Sequence, residues 1–251
     1  MSEVLDALRA EIFGLAMLGA VLGTIVAGLM RGYAGFGTAV ILAPIYSTIW
    51  GTWQGVPVML LMELLISIQM LPHAFRDADR RVVLPIGGTA FLTMPLGTWV
   101  LFAADPTDLR RAIGALVLVF GCLLMSGWRY HGSRPLWLNM TVGGAAGLLK
   151  GATGMSGPPV ILYLLAGKEE AKRHRANLIL FFALIAIISV VGPIVGGLVD
   201  ATTIARLIVT LPVMLLSVRI GARLFHVVPE RLYRPFAMAV LVASGSVALF
   251  S

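Results

Sequence analysis

The chain has 251 residues, of which 59% are hydrophobic and only 12% are charged. Soluble domains carry about 25% charged residues, so this composition excludes a soluble globular protein and indicates a polytopic membrane protein. The formal net charge of +7 does not indicate nucleic-acid binding. The basic residues cluster in short loops between apolar runs, as they do in the cytoplasmic loops of membrane proteins.

The cysteine content and the first eleven residues bear on disulfides, metal sites and a cleaved signal peptide. Cys122 is the only cysteine and lies in an apolar run, so there is neither a disulfide framework nor a cysteine-based metal site. We expect no metal and no cofactor. The start MSEVLDALRAE holds three acids and one arginine, unlike the basic start of a cleaved signal peptide. The first apolar segment is therefore expected to be retained.

Ten apolar segments follow along the chain, with short loops between them. The first five lie at 12–30, 38–50, 56–72, 82–103 and 112–128, and the second five lie at 136–149, 158–166, 177–199, 204–227 and 236–250. A helix needs about 20 residues to cross the hydrocarbon core. The third to fifth segments of each set approach that length, whereas segment 158–166 covers only about 14 Å. The predicted fold is all-α, with roughly eight to ten membrane segments.

Matching residues in the two sets predict an internal repeat. In the first tract, Ala27-Gly28-Leu29 matches Ala146-Gly147-Leu148, and Val40-Ile41-Leu42 matches Val160-Ile161-Leu162. In the second tract, Gly97, Pro106, Leu109 and Arg111 match Gly221, Pro229, Leu232 and Arg234. Chance agreement in the same order at two tracts is much less expected than at one. The predicted boundaries are an N-terminal membrane repeat at 1–131 and a C-terminal membrane repeat at 132–251.

The basic residues also predict the orientation in the membrane. The loops at 76–81, 129–134, 168–175 and 231–234 hold eleven Lys and Arg residues, against four at Arg9, Arg110, Arg111 and Arg206 on the opposite face. The first face is predicted to be cytoplasmic, which leaves both termini in the periplasm. With an odd number of crossings in each half, the two five-segment repeats are inverted relative to each other.

A glycine-rich tract with one cation opens each repeat. The tracts are AGLMRGYAGFG at 27–37, with Arg31, and AGLLKGATGMSG at 146–157, with Lys150. In inverted-repeat transporters, the N-termini of broken helices point at anionic groups near the midplane, because the first N–H groups lack internal partners. We predict a glycine-broken, re-entrant-like helix pair and an anion-binding site at each tract. The predicted substrate-binding residues are Arg31, Gly32, Tyr33, Gly35, Gly37, Thr38, Lys150, Gly151, Thr153, Gly154, Ser156 and Gly157.

The alternative interpretation is that each cation neutralises a helix C-terminus or extends to the membrane interface. Two cations at matching repeat positions favour the anion site, because intramembrane ionisable residues are functional candidates by default. The run from Ser156 to Pro159 is typical of a helix start. Tyr163 flanks the second tract and, with Tyr33, Thr38 and Thr153, is expected to donate hydrogen bonds to the anion.

Glu63 is the only acid in any of the apolar segments. Two interpretations stay open: it carries a coupling proton, or it pairs structurally with Arg31 or Lys150. Other polar residues in apolar runs are expected to hydrogen-bond between helices, and they are Ser67, Gln69, Asn177 and Ser189.

The two glycine tracts about 120 residues apart, the Gly-Pro-Pro that closes the second tract and the Gly-Ala-Arg-Leu at Gly221–Leu224 resemble the TauE/SafE family. The resemblance covers essentially the whole chain. It implies a secondary transporter, often assigned to export, of small sulfur-containing anions such as sulfite or organosulfonates in the bacterial inner membrane. The resemblance implies that the protein is not an enzyme. The family is usually described with eight spans. The first tract departs from the pattern, because Thr38-Ala39 replace the Gly-Pro-like end seen in the second tract.

Two rival functions remain at this stage. A passive anion channel would use the same electrostatics. A rhomboid-like serine protease is suggested by Gly154-Met155-Ser156-Gly157, but its serine needs a histidine base within reach, and all four histidines lie in loops or at helix ends. The expected partners are a small anion and the lipid bilayer, with no nucleic acid, and proton coupling stays open with the role of Glu63. The oligomeric state does not follow from the sequence.

Overall fold

The computed structural model describes residues 15–103, 134–153, 157–167, 169–233, 235 and 239. Within these residues the chain is helical and contains no strand. The helices are α1 (Leu15–Ala34), α2 (Thr38–Trp50), α3 (Thr52–Asp77), α4 (Arg80–Ala103), α5 (Leu136–Thr153), α6 (Gly157–Leu165), α7 (Ala171–Ser189), α8 (Val191–Val195) and α9 (Ala201–Val227), followed by a 3-10 turn at Glu230–Leu232. The predicted segment 112–128 and, apart from residue 239, the predicted segment 236–250 lie outside the described residues.

Among the described residues, four helical stretches are long and apolar enough to cross a membrane. They are Ala16–Ala34, Trp53–Asp77, Ala171–Val195 and Ala201–Val227. The predicted all-α, multi-pass membrane character is therefore confirmed. The total of eight to ten membrane segments stays a prediction.

The observed helix boundaries show which helix ends could be predicted from the local sequence. Helix α2 begins and ends at the predicted residues, Thr38 and Trp50. Helices α1 and α5 run farther than predicted, to Ala34 and Thr153. Arg31 and Lys150 therefore lie in the last turns of helices and not within interruptions. Glycine costs a helix only about 1 kcal/mol per residue, which close packing against a neighbouring helix offsets.

The described helices belong to two compact units. Unit 1 comprises Met1–Pro72 and Phe182–Val228, and unit 2 comprises His73–Phe181 and Pro229–Ser251. Each unit draws on both predicted repeats, and two of the three divisions fall inside α3 and α7. The repeat boundary between residues 131 and 132 remains a prediction from sequence matching.

In unit 1, α1 and α2 form a helical hairpin. A Cβ at Gly19 would contact Ile49, and a Cβ at Gly23 would contact Ile45. Later positions in α1 thus contact earlier positions in α2, as in an antiparallel pair of helices. The small residues of α1 let α2 approach closely, which favours helix association in lipid.

Unit 1 also packs α1 against α9 through backbone contact at glycines. A Cβ at Gly32 would overlap the carbonyl oxygen of Val218, and a Cβ at Gly221 would overlap the carbonyl oxygen of Leu29. A Cβ at Gly28 would come within 2.5 Å of the Ser217 side chain and 3.2 Å of the carbonyl oxygen of Met214. Gly28 and Gly32 together form a small-residue face of α1 that contacts α9.

Unit 2 packs α5 against α4 through equivalent positions. A Cβ at Gly97 would overlap the carbonyl oxygen of Leu148, and a Cβ at Gly147 would overlap the carbonyl oxygen of Ala90. Gly143, one turn before Gly147, lies against Ile86. In each unit, the first helix of one predicted repeat contacts the fourth helix of the other. The internal repeat itself stays a prediction from sequence matching.

Candidate functional site

The chain reverses direction between α1 and α2 over three residues, Gly35 to Gly37. Gly35 has φ 82° and Gly37 has φ 112°, values that favour glycine because it has no Cβ. A Cβ at Gly37 would also come within 2.6 Å of the Met30 side chain. Gly35 and Gly37, two of the four glycines of the first tract, are thus required by the turn itself.

Arg31 lies in the last turn of α1, and its side chain is fully buried. Its Nη1 donates a hydrogen bond to the carbonyl oxygen of Gly35 at 2.8 Å, and its Nη2 donates to Oγ of Ser67 at 3.0 Å. The guanidinium also lies over the ring of Phe182, 5.2 Å from its centroid. The side chain is therefore held by the glycine turn, α3 and α7.

This geometry bears on the alternative interpretations of the cation. Burial argues against a side chain that extends to the membrane interface. The hydrogen bond to Gly35 is the contact expected of a cation at a helix C-terminus, where carbonyl groups lack partners. A positive charge is thus fixed beside the turn. Neither Ser67 nor Phe182 had been assigned to the site, because their contacts with Arg31 join distant parts of the chain.

Thr38 opens α2 on the other side of the turn. Gly37 precedes it and provides no side-chain cap, so the first N–H groups of α2 receive no acceptor from a capping side chain. The Thr38 side chain is buried, and no described residue forms a hydrogen bond with its Oγ1. A buried polar group is normally hydrogen-bonded. The start of α2 therefore presents an unsatisfied hydroxyl at the positive end of a helix dipole.

The second glycine tract lies in unit 2. Helix α5 ends at Thr153 and α6 begins at Gly157, close to the predicted start. Lys150 is buried in the last turn of α5. Gly154 and Ser156 lie outside the described residues.

Some predicted ligand-contacting residues have protein partners in the structure. The hydroxyl of Tyr163 donates to Oδ1 of Asn139 at 2.7 Å. Tyr33 packs edge-on against Phe225, with ring centroids 6.1 Å apart. These contacts show that both tyrosines contribute to packing within their own units.

Arg134 holds the C-terminal end of α6, which sequence analysis did not anticipate. Its guanidinium forms an ion pair with Glu169 at 2.5 Å and donates to the carbonyl oxygens of Tyr163 and Leu164. It also lies 5.1 Å from the centroid of the Tyr163 ring. A cation is favourable at the negative end of a helix dipole. The short α6 is thus anchored at the end opposite the glycine tract.

Glu63 lies in α3, four residues before Ser67. Its side chain is buried, and its Oε2 receives no hydrogen bond from any described residue. No ion pair of Glu63 is observed within the described ranges. Residues four apart on a helix lie on the same face, so Glu63 faces the same side of α3 as the hydroxyl that accepts from Arg31.

A second buried polar group lies toward the other end of the α1–α2 hairpin. Arg206 of α9 donates to Gln54 at 2.9 Å, and its guanidinium lies 4.8 Å from the Trp50 ring centroid. The hydroxyls of Thr24 and Tyr46 are 2.7 Å apart. The only signal for these contacts in the sequence is the presence of polar residues in apolar runs.

The sequence comparisons identify one family. The profile described as sulfite exporter TauE/SafE matches residues 20–248, which is nearly the whole chain. No significant match was found among curated proteins or among solved structures.

Proposed function

Because the chain belongs to the sulfite exporter TauE/SafE family, we propose that it is a secondary transporter of small sulfur-containing anions, sulfite or an organosulfonate, that binds its substrate at the glycine tracts. The proposal places the protein in the bacterial inner membrane with both termini in the periplasm. The family assignment gives no support to the channel or protease alternatives.

The observation that carries the proposed site is the unsatisfied hydroxyl of Thr38 beside the turn that Arg31 holds. An anion at the start of α2 would accept hydrogen bonds from that hydroxyl and from the first N–H groups of the helix, as anions do at helix N-termini. The buried charge of Arg31 would stabilise the anion in surroundings of low dielectric constant. Sulfite and sulfonates fit because each offers three oxygens that can accept from different donors at once.

The second tract is proposed to offer a similar set of donors within unit 2. Lys150 would supply the charge, and Gly151, Thr153, Gly154, Ser156 and Gly157 would surround the start of α6. Support comes from the equivalent packing of the two helix pairs, in which Leu29 and Leu148 are contacted by Gly221 and Gly97. The anchoring of α6 by Arg134 would keep its N-terminus in place when an anion binds.

Export is the proposed direction on energetic grounds. With the cell interior negative, each anionic charge that leaves gains about 2.3 kcal/mol per 100 mV of membrane potential. Outward movement of an anion is therefore favourable without a coupling ion, whereas accumulation inside the cell would need one.

The test is substrate binding and exchange by the purified protein. We expect sulfite, thiosulfate and sulfoacetate to raise the melting temperature in detergent more than acetate does at the same concentration, because ligands that bind only the folded state stabilise it. In proteoliposomes, labelled thiosulfate should enter faster when unlabelled thiosulfate is trapped inside. Absence of stabilisation by every sulfur anion, or flux that never saturates, would contradict the proposal.

A further inference from the structure

We propose that Trp50, Gln54 and Arg206 form a second anion-binding site, from which the substrate leaves after it has bound beside Arg31. This inference rests on the proposed function and adds to it the place where the exported anion is released. All four residues belong to unit 1, and the second site lies at the end of that unit that is predicted to face the periplasm.

The indole of Trp50 provides the first observation. Trp50 is the last residue of α2 and is only 8% exposed, and its Nε1 has no hydrogen-bond partner among the described residues. A buried tryptophan N–H usually has a partner, because an unsatisfied donor is costly. Trp53, three residues later, is 77% exposed, as is typical of a tryptophan that anchors a helix at the membrane interface. Trp50 is not such an anchor, and its N–H points to a ligand that supplies an acceptor.

The second observation is the charge beside that donor. Arg206 of α9 is 5% exposed, and its guanidinium lies 4.8 Å from the centroid of the Trp50 ring. Nη1 of Arg206 donates to Oε1 of Gln54 at 2.9 Å, and Arg206 has a further partner as well. A guanidinium has several N–H donors and stays charged, so these contacts hold it in place without removing its charge. A permanent positive charge is thus fixed next to the unsatisfied indole N–H.

The chemistry of the three side chains favours a small oxyanion. Indole and guanidinium groups only donate hydrogen bonds. The one side-chain acceptor among the three residues, Oε1 of Gln54, is bonded to Arg206, and the amide of Gln54 offers further N–H donors. A sulfur oxyanion can accept from several of these donors at once, whereas a cation would be repelled by Arg206.

The position of the cluster fits release of the anion. Helix α2 runs from Thr38 to Trp50, so the two sites lie roughly 18 Å apart along the helix, at about 1.5 Å per residue. Gln54 is exposed, whereas Arg31 is fully buried, so the second site is closer to solvent. Charges near solvent are screened more than buried ones. We therefore expect the second site to bind the anion more weakly than the first, which lets the anion leave.

Buried hydroxyl groups lie between the levels of the two sites. The hydroxyls of Thr24 and Tyr46 are 2.7 Å apart, and the rings of Tyr46 and Trp50 pack with centroids 4.6 Å apart. Tyr46 lies about 12 Å beyond Thr38 along α2, and Thr24 lies about 10 Å before Arg31 along α1. Polar side chains of unit 1 therefore continue from the first proposed site toward the second.

An acidic residue also lies at this end of α9. Asp200 begins the helix, and the charge of Arg206 acts on it. Asp200 is exposed, however, and its carboxylate accepts a hydrogen bond from the N–H of Thr203 at 2.7 Å. Because solvent screens an exposed charge, an anion at the indole N–H meets only weak repulsion from Asp200.

The experiment follows the tryptophan emission of the full-length protein in detergent while thiosulfate is added. For the wild type we expect a saturable change, because an anion bonded to the indole N–H alters the surroundings of Trp50. Trp50→Phe keeps an aromatic ring and removes the donor, so the change should be lost. Trp53→Phe is the matched control, since this indole is 77% exposed, and it should respond as the wild type does.

Gln54→Glu tests the same site without removing the tryptophan. Its carboxylate would pair with Arg206 and repel an anion, so the thiosulfate concentration at half-maximal emission change should rise at least about tenfold. We expect this variant to fold, because position 54 is exposed and the new charge neutralises a buried cation. Arg31→Gln weakens the first site only and should keep the wild-type emission response.

The outcomes separate the second site from the proposed function. If a folded Trp50→Phe protein retains the emission change, or if Arg31→Gln abolishes it, the second site is wrong although the transport function stands. If Trp50→Phe does not fold, an unchanged half-saturation in Gln54→Glu overturns the second site. If thiosulfate raises the melting temperature of the wild type without any emission change, the second site alone fails. If the wild type binds no sulfur anion by either measurement, the proposed function fails, and the release site fails with it.

Discussion

Gly97 of α4 lies directly against the backbone of Leu148 in α5, so that a Cβ on this glycine would overlap the Leu148 carbonyl oxygen. Such contact brings two helix backbones as close as they can come, which is the means by which small residues hold helices together in lipid. Gly88 of the same helix has open space around its Cβ position. The two glycines therefore form a natural experimental pair.

We predict that Gly97→Ala lowers the free energy of unfolding in detergent by about 1–3 kcal/mol, the usual cost of overpacking. Gly88→Ala should leave it unchanged or raise it slightly, because alanine is the better helix former. Melting temperatures of the two variants provide the measurement. Equal stability of both variants would show that α4 and α5 do not approach as closely as described.

Arg31→Gln should weaken anion affinity by about one to two orders of magnitude, because a hydrogen bond or close contact to a charged group is worth roughly 1.5–3 kcal/mol. Arg31→Lys should also weaken it, although the charge remains, because lysine cannot reproduce the planar fork that reaches both Gly35 and Ser67. Thiosulfate affinity is measured in detergent.

Arg219→Gln is the control for this prediction, since Arg219 is an exposed cation of α9. It should bind thiosulfate as the wild type does. Wild-type affinity in Arg31→Gln would mean that the buried cation only neutralises the end of α1, and the anion site would have to be sought elsewhere.

Thr38→Val removes the unsatisfied hydroxyl and keeps the shape of the side chain. We expect a loss of anion affinity of about five- to tenfold, the equivalent of one hydrogen bond, without loss of stability, because no described residue is bonded to that hydroxyl. Thr38→Ser should retain binding. A Thr38→Val protein with lower anion affinity and an unchanged melting temperature would show that the hydroxyl acts in binding. A fall in both quantities would indicate a structural role.

The termini are predicted to face the periplasm, because the basic residues are distributed eleven to four between the two faces. A C-terminal reporter that functions only in the cytoplasm should give no signal, and a periplasmic reporter should be active. The opposite result would remove the basis for an inverted repeat.

Asp200 begins α9, and its side chain accepts a hydrogen bond from the backbone N–H of Thr203 at 2.7 Å. This hydrogen bond lowers the pKa of Asp200 below its ordinary value of 3.8. Asp200→Ala should therefore cost about 1 kcal/mol of stability at neutral pH.

The sign of the pH dependence follows from the lowered pKa of Asp200. Its ionised form is favoured by folding, so its contribution is complete above the unfolded pKa and is lost as the pH falls through the folded value. Asp200→Asn keeps the cap without this titration. As the pH falls below 3.8, the melting temperature of the wild type should therefore fall more steeply than that of the Asn variant. A neutral-pH stability unchanged in the Ala variant would show that the cap contributes nothing.

The sequence by itself determined the class of the protein, most helices and the place of the glycine tracts. Hydropathy and turn propensity act within a few residues of one another, which is why α2 could be predicted from Thr38 to Trp50 without any tertiary information. The same local signals identified the two glycine tracts and the cations beside them, because charge within an apolar run is visible in any window of the chain.

Only the tertiary structure decided what those cations and glycines contact. Arg31 meets Ser67 of α3 and Phe182 of α7, and the packing of Gly97 on Leu148 joins two different predicted repeats. Helix lengths were underestimated at Ala34 and Thr153 for the same reason, since glycine is a poor helix former until a neighbouring helix packs closely against it. Contacts between segments far apart in the chain depend on the path of the backbone, which local propensity does not encode.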